Sequence, residues 1–424
     1  MRTFITVWLG QLVSTFGSRM TNFALIVWTW EVTGSATALG LVTVFTQLPS
    51  LAVALFAGAL IDRSDRKVAI IVGDSIAALS TLAILLLAAV GQLQLWHLFL
   101  INGINGIFGE IQQLAYSASV SLMVPKQHYV RVSSMKSMLH YGPSILAPAF
   151  AGALYPITGL AGIAAIDLLT FAVGVSTVLL VKIPQPPRSE VTSEQPKLWH
   201  ELTFGCRYIM ARASLFGFFG LELLFWFAHD FGAVMHRSTI LARTDGNAEV
   251  LGMVSAAAGI AGIIGAIALS WWGGPKHRIQ GFLGSAIAVG ISKTLFALGQ
   301  SLSIWIPMQL SSSLNFPLLT SSSTAIWLEK IPPEVQGRVF AAQSFGLGVV
   351  STVATAIAGP LADGFFEPAM QPGGALTPWF GSIFGTGPGS GMALLYAIAS
   401  LVLILVGILG YRWPLVRQIE KSKI

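Results

Sequence analysis

The sequence predicts an all-α membrane protein of twelve transmembrane helices in two pseudo-symmetric six-helix halves. Three observations carry that prediction. The 424 residues are 54% hydrophobic and only 10% charged, where an ordinary soluble chain carries about 25% charge. Apolar runs near the ~20 residues needed to cross a bilayer recur along the chain, with short basic clusters at alternate junctions. The two halves also share residue patterns at fixed offsets.

Twelve candidate spans follow in order: 5–30, 37–61, 68–91, 95–122, 137–157, 161–181, 214–240, 250–272, 279–299, 302–328, 339–362 and 391–411. Helices satisfy their own backbone in lipid, so each run is expected to be helical. The first run is too long for a signal peptide and lacks a small-residue cleavage site, so it is expected to be a retained helix. With the N-terminus in the cytoplasm, all of the 24 Lys and Arg but Arg19, Arg237, Arg243 and Lys293 fall in cytoplasmic segments or at their edges. The positive-inside rule therefore places both termini in the cytoplasm.

The expected organisation is an N-terminal half at 1–181, a cytoplasmic linker at 182–213, and a C-terminal half at 214–424. The linker opens on Ile183-Pro-Gln-Pro-Pro187, and 198–212 suits a short surface helix. An outer segment at 363–390, rich in Gly and Pro, reads as a long functional or mobile loop. Pro125, Arg131 and Val132 recur as Pro332, Arg338 and Val339, an offset of 207 residues. The same offset carries Ala147, Ala149, Ala151, Gly152 and Leu154 onto Ala354, Ala356, Ala358, Gly359 and Leu361. Leu39-Gly40-Leu41-Val42 returns as Leu251-Gly252-Met253-Val254. Such self-similarity is the mark of a parallel repeat.

The densest charge cluster, Gly58-Ala-Leu-Ile-Asp62-Arg63-Ser-Asp65-Arg66-Lys67, lies between the second and third spans. Its G-x-L-x-D-R-x-x-R-K spacing resembles the signature loop of the major facilitator superfamily of secondary transporters; Asp65 stands where that family usually has a second glycine. Trp30-Glu31-Val-Thr33-Gly34-Ser35, Ile166-Asp167-Leu-Leu-Thr-Phe171, Gly359-Pro-Leu-Ala-Asp363 and Phe366-Glu-Pro-Ala-Met370 resemble the macrolide-efflux and siderophore-exporter branch. The resemblance covers nearly the whole chain. It departs from many drug–proton antiporters in lacking an arginine early in the fourth span, where Asn102 and Asn105 stand.

The resemblance implies that helices one, four, seven and ten line a central cavity. The spacing agrees: Gln11, Thr15, Ser18 and Asn22 share one face of the first helix, flanked by Arg19. Asn102, Asn105, Gly109, Gln113 and Tyr116 share a face of the fourth, with Glu110 at its edge. Glu222, Trp226 and His229 share a face of the seventh, with Asp230 beside it. Gln309, Ser311, Ser312, Ser313 and Asn315 mark the tenth, and Lys293 lies towards the outer end of the ninth. Small polar residues also glue helices together, whereas an ionisable group at the bilayer centre costs at least ~2.5–3.5 kcal/mol. Arg19 and Glu110 lie at similar depth and are expected to interact, with Glu110 gaining and losing a proton. Asp74 is assigned to a cytoplasmic network. Gly58, Asp62, Arg63, Arg66, Arg131 and Arg338 form the expected cytoplasmic gate, with Asp62 facing the start of helix eleven.

The expected function is proton-coupled efflux of a small amphipathic molecule, such as a drug, macrolide or siderophore, from a bacterial cytoplasm across the inner membrane by alternating access. Lysophospholipid or metabolite transport, and a non-transporting sensor or assembly protein on the same scaffold, are the alternatives. No P-loop, HExxH or nucleophile elbow is present, which argues against an enzyme. No cofactor or metal is implied. The scattered basic residues do not suggest nucleic acid, the single cysteine, Cys206, excludes an intrachain disulfide, and a monomer is expected.

Overall fold

The structure, a computed structural model, describes residues 2–124, 128–181, 198–417 and 419–420. The described chain is helical throughout. The helices are α1 (Arg2–Thr33), α2 (Ala36–Arg63), α3 (Arg66–Ala89), α4 (Leu95–Met123), α5 (Tyr129–Leu180) and α6 (Leu198–Met210). There follow α7 (Ala213–Arg243), α8 (Ala248–Trp272), α9 (Arg278–Leu298), α10 (Leu302–Lys330) and α11 (Pro333–Leu361). A π-helical turn at Ala362–Phe366 leads into α12 (Glu367–Met370), then α13 (Thr377–Phe384), α14 (Ser390–Arg412) and α15 (Pro414–Arg417).

Among the described residues, eight segments are both long and apolar enough to cross a bilayer. The helices α1, α4 and α10, of 32, 29 and 29 residues, are long enough but too polar to qualify. They are three of the four helices on which the sequence shows polar stripes. The expected spans 137–157 and 161–181 form one 52-residue element interrupted at Gly159 (φ 61°, ψ −171°). That backbone conformation is open to glycine and strained for any L side chain. The predicted outer loop at 363–390 is largely helical: it holds the π-helical turn, α12 and α13. The linker at 182–197 lies outside the described residues.

Local chemistry sets several helix ends. Asp65 caps α3, accepting from the backbone N–H of Lys67 at 2.8 Å and Val68 at 3.2 Å. Gln94 and His97 form a reciprocal capping box at the start of α4. Pro333 opens α11 at a position where its missing N–H costs nothing.

The lateral surface identifies the solvent. Val72, Leu79 and Leu86 of α3 are 40%, 63% and 58% exposed, and their i, i+7, i+14 spacing puts them on one stripe. Met253, Ile260, Ile264, Ile267 and Trp271 do the same on α8. Contiguous apolar surface of this kind belongs against lipid, not water.

The chain divides into two compact units. The first comprises Met1–Gly34, Leu41–Glu194 and Asn247–Ala256; the second comprises Ser35–Gly40, Gln195–Gly246 and Ala257–Ile424. In the first, α1 packs along α5, and α3 packs on α4 and α5. Phe4, Val7, Trp8, Ile70, Ala115 and Val178 are buried in its core. In the second, α9 packs against α10 and α14, while α7 packs against α11 and α14. Phe218, Phe225, Phe282, Trp327 and Val406 are buried at its centre.

The first turn of α2 belongs to the second unit, and the first turns of α8 belong to the first. Repeat-related small residues make both exchanges possible. A Cβ on Gly152 of α5 would sit 2.8 Å from the Ala248 carbonyl oxygen and 3.0 Å from Gly252 Cα of α8. In the second unit, a Cβ on Gly40 would sit 2.9 Å from the Thr355 carbonyl oxygen, and one on Gly359 would collide with the Thr37 backbone. The glycines that recur at the 207- and 212-residue offsets therefore mark the closest helix approaches.

Candidate functional site

Every deeply buried carboxylate in these helices is held by neutral donors from other helices. Asp74 of α3, 4% exposed, accepts from Gln11 Nε2 of α1 at 3.0 Å and from Gln112 Nε2 of α4. Asp167 of α5, 3% exposed, accepts from Ser18 of α1 at 3.2 Å and Thr81 of α3 at 3.1 Å. In the second unit Glu222 of α7, 1% exposed, accepts from Ser323, from Trp327 Nε1 at 2.7 Å and from Gln343 Nε2 at 3.2 Å. Among the described residues the only ion pairs, His277–Glu420 and Lys330–Glu329, sit at helix ends.

Several residues predicted to line a cavity make hydrogen bonds between helices. Gln11 and Ser18 face α3 and α5 through the bonds above. Asn102 is buried, donating to the Leu98 carbonyl at 2.9 Å and accepting from Thr46 of α2 at 3.2 Å. Asn105 accepts from Ser80 of α3 at 3.0 Å. Arg19 is half-buried, and among the described residues no ion pair joins it to Glu110. The Glu110 carboxylate accepts from Ser50 of α2 at 2.9 Å. Equal depth on two helices does not fix the direction in which each side chain points. Asn22 and Gln113 are exposed. Asp74 joins α3 to α1 and α4 through Gln11 and Gln112.

The residues predicted on α7, α9 and α10 come together in the second unit. Lys293 Nζ of α9 lies 2.7 Å from His229 Nδ1 of α7. The His229 ring stacks on Phe225, meets Trp226 edge-on with centroids 5.4 Å apart, and sits 4.8 Å from Phe316 of α10. Asp230 is half-buried and accepts from Ser351 of α11. Two turns further along α7, Gln309 of α10 pairs with His236 Nε2 at 3.0 Å and donates to Ser313 at 3.0 Å. Asn315 donates to the Ser311 carbonyl at 2.9 Å. His236 and Arg237 complete this neighbourhood; of the two, the sequence marks only Arg237, as an exception to the inside bias, and their i+7 and i+8 spacing from His229 places them on the same side of α7.

At the expected gate, the side chains of Asp62, Arg63 and Arg131, and the surroundings of Gly58, lie outside the described residues. Arg66 Nη1 donates to the Ala118 carbonyl of α4 at 2.8 Å. Lys67 Nζ donates to the Leu179 and Val181 carbonyls at 3.0 and 2.8 Å, tying the start of α3 to the end of α5. The Arg338 guanidinium lies 5.3 Å from the Phe204 ring of α6, and Gly205 lets α6 approach the Arg338 backbone closely.

The segment at 363–370 supplies two further carboxylates. Asp363 accepts from Ser35 Oγ at 2.6 Å, Ala36 N at 3.2 Å and Thr37 N at 2.8 Å, capping α2. Glu367 accepts from Gly389 N at 2.6 Å and Met392 N at 3.1 Å, capping α14. Arg243, an exception to the inside bias, serves the opposite polarity. It donates to the Ala297 and Gly299 carbonyls at the end of α9 and to Phe384 of α13.

Comparison with known proteins agrees with this architecture. The family model of the Major Facilitator Superfamily matches residues 7–355. Macrolide efflux protein A of Streptococcus pyogenes is 28% identical over 341 residues, 80% of this chain and 84% of that protein. The protein of the same name from Enterococcus faecalis is 28% identical over 287 residues, covering 67% and 88%. Among solved structures, the nucleoside transporter NupG superposes with a TM-score of 0.71 at 13% identity over 97% of this chain and 100% of that one. An inward-facing bacterial homologue of the iron transporter ferroportin gives 0.69 at 15% identity over 97% and 98%. These relatives and neighbours are transporters, not enzymes. The chain is a multi-pass membrane protein and belongs to the major facilitator superfamily.

Proposed function

We propose that this protein exports a small amphipathic molecule from the bacterial cytoplasm across the inner membrane, by alternating access coupled to protons, with a macrolide as the first substrate to test. The observation that carries the reading is the Lys293–His229 contact beside Trp226 and Phe316 in a lipid-embedded helix bundle. An ionisable pair at that depth is costly and belongs to a transport pathway by default. Aromatic faces next to it suit an apolar body with a basic end. The similarity to macrolide efflux proteins over most of the chain supports the same direction and substrate class.

In this reading the chain crosses the membrane twelve times as a monomer, with halves at 1–181 and 214–424 and both termini in the cytoplasm. Gly58, Asp62, Arg63, Arg66, Arg131 and Arg338 close the cytoplasmic side, and the closely packed turns at Gly40–Thr355 and Gly152–Gly252 close the outer side. Expression in a macrolide-sensitive bacterium tests it. Cells making the protein should hold less radiolabelled erythromycin than control cells, and a protonophore should abolish the difference. Equal accumulation with and without the protein would overturn the macrolide reading.

A further inference from the structure

The second unit buries more basic groups than acids. Over two turns of α7 and the facing turn of α9 it contains His229, His236, Arg237 and Lys293, against the carboxylates of Asp230 and, two turns earlier on α7, Glu222. The other ionisable groups on the packed helices α10, α11 and α14, apart from Tyr396, are Glu329, Lys330, Glu334, Arg338, Tyr411 and Arg412, all within two turns of a helix end. Arg243 is engaged with the carbonyls of α9 and α13. Arginine does not lose its charge in proteins, so Arg237 and Asp230 offset each other. Glu222 is held by Ser323, Trp327 and Gln343, and among the described residues no carboxylate lies in ion-pair contact with the Lys293 ammonium. Lys293 is 7% exposed; its direct contact is His229 Nδ1 at 2.7 Å, with the rings of Phe316 and Tyr396 at 5.9 and 6.0 Å and the charge of Asp230 near enough to act on it.

The contact geometry limits how many protons this pair can hold. An ammonium only donates, so His229 Nδ1 is the acceptor and the ring proton sits on Nε2. Two cations cannot share this contact: a protonated His229 would turn an N–H towards the ammonium. The pair therefore alternates between one positive charge and none. We propose that Lys293 and His229 together form the proton-exchange site of transport, and that the basic end of a cationic amphiphile displaces this proton. The inference rests on the proton-coupled reading above and moves the exchange site from Glu110, which Ser50 holds on α2, to the second unit.

The step balances with N–H bonds alone. One N–H of Lys293 breaks as a new N–H forms at His229 Nδ1, and the Nε2 proton leaves to water on the open side. Lysine is left as a neutral amine and histidine as its neutral Nδ1–H tautomer. A cationic amphiphile against Trp226 and Phe316 then restores the charge that the proton gave up. Reloading from the other side reverses the step.

Two measurements on purified full-length protein test the site. The first needs no substrate: a pH-indicator dye records proton uptake after an acid jump in detergent. Wild type should bind roughly one more proton per chain than the double variant Lys293→Met/His229→Gln, and equal uptake would overturn the proposal. The second uses proteoliposomes with an imposed pH gradient and radiolabelled erythromycin. Gradient-driven accumulation should be lost in Lys293→Met, Lys293→Arg and His229→Gln, each checked for monodisperse elution. Arginine keeps the charge and cannot release it. Wild-type accumulation in Lys293→Arg would therefore reduce Lys293 to a structural charge and overturn the proposal. If Lys293→Met fails to fold, Lys293→Gln takes its place in the uptake arm, and His229→Gln alone carries the transport arm. A wild type that shows the uptake difference but moves no erythromycin would defeat the macrolide reading and leave the exchange site standing.

Discussion

Glu222 shows how a buried carboxylate can be structural without a counter-charge. Its two oxygens take donors from Ser323, Trp327 and Gln343, so α7 is fastened to α10 and α11 by neutral hydrogen bonds. This arrangement makes a specific prediction. Glu222→Gln keeps one carbonyl for Trp327 and Gln343 and lets the Ser323 hydroxyl rotate to accept, so the thermal midpoint of detergent-solubilised protein should change little. Glu222→Leu strands the Trp327 and Gln343 donors at about 1–3 kcal/mol each and should lower that midpoint clearly. Equal loss in both variants would show that the negative charge itself is required.

Residue-scale chemistry was only half legible in the sequence. Helical spacing groups Gln11 with Ser18 and Asn102 with Asn105 on helix faces, but a face does not say which neighbour meets it. Those residues bond to Asp74, Asp167, Thr46 and Ser80 inside the first unit. The charged residues Lys293 and His229 were identifiable from the cost of placing them at depth. Their contact was not, because no local spacing relates α9 to α7.

At the scale of elements, caps and close approaches set the bundle. Asp65 replaces the usual family glycine and gains a role, since its side chain satisfies two N–H groups at the start of α3. Asp65→Ala should cost ~0.5–2 kcal/mol, read as faster amide exchange confined to the first turn of α3; unchanged exchange there would show that the cap does not hold that turn. Gly252 is more demanding. Its Cβ would press within 2.9 Å of the Pro148 carbonyl oxygen and 3.1 Å of Gly152 Cα. Gly252→Val should therefore force α8 off α5 and reduce transport while Gly262→Ala, where a Cβ meets open space, leaves it near wild type. Equal activity in the two would show that this approach is not needed in the cycle. The repeats at Gly152/Gly359 and Gly40/Gly252 were visible as sequence matches. The helical content of 363–390 was not: its glycines and prolines read as a loop, yet Asp363 and Glu367 turn it into a pair of helix caps.

At the scale of the molecule, apolar content and periodic spans made the lipid-embedded helical class readable, and the motif at 58–67 pointed to the family. Apolarity alone did not recover every long helix, because α1, α4 and α10 carry polar residues that bond to neighbouring helices within each unit. Orientation has a direct handle in Cys206, the single cysteine, exposed on α6. A membrane-impermeant maleimide should label it in inside-out vesicles and fail to label it in right-side-out ones. The reverse pattern would place α6 and the linker outside and invert the charge-based topology.

The central claim is that substrate efflux and proton movement are one coupled process. Inside-out vesicles from cells making the protein, energised to an acidic interior and loaded with a pH-sensitive dye, test it most directly. Adding erythromycin should collapse part of the gradient, in proportion to dose, and should do nothing in vesicles from cells without the protein. Radiolabelled erythromycin entering the vesicles while the gradient stands unchanged would contradict the claim and make the protein an uncoupled transporter.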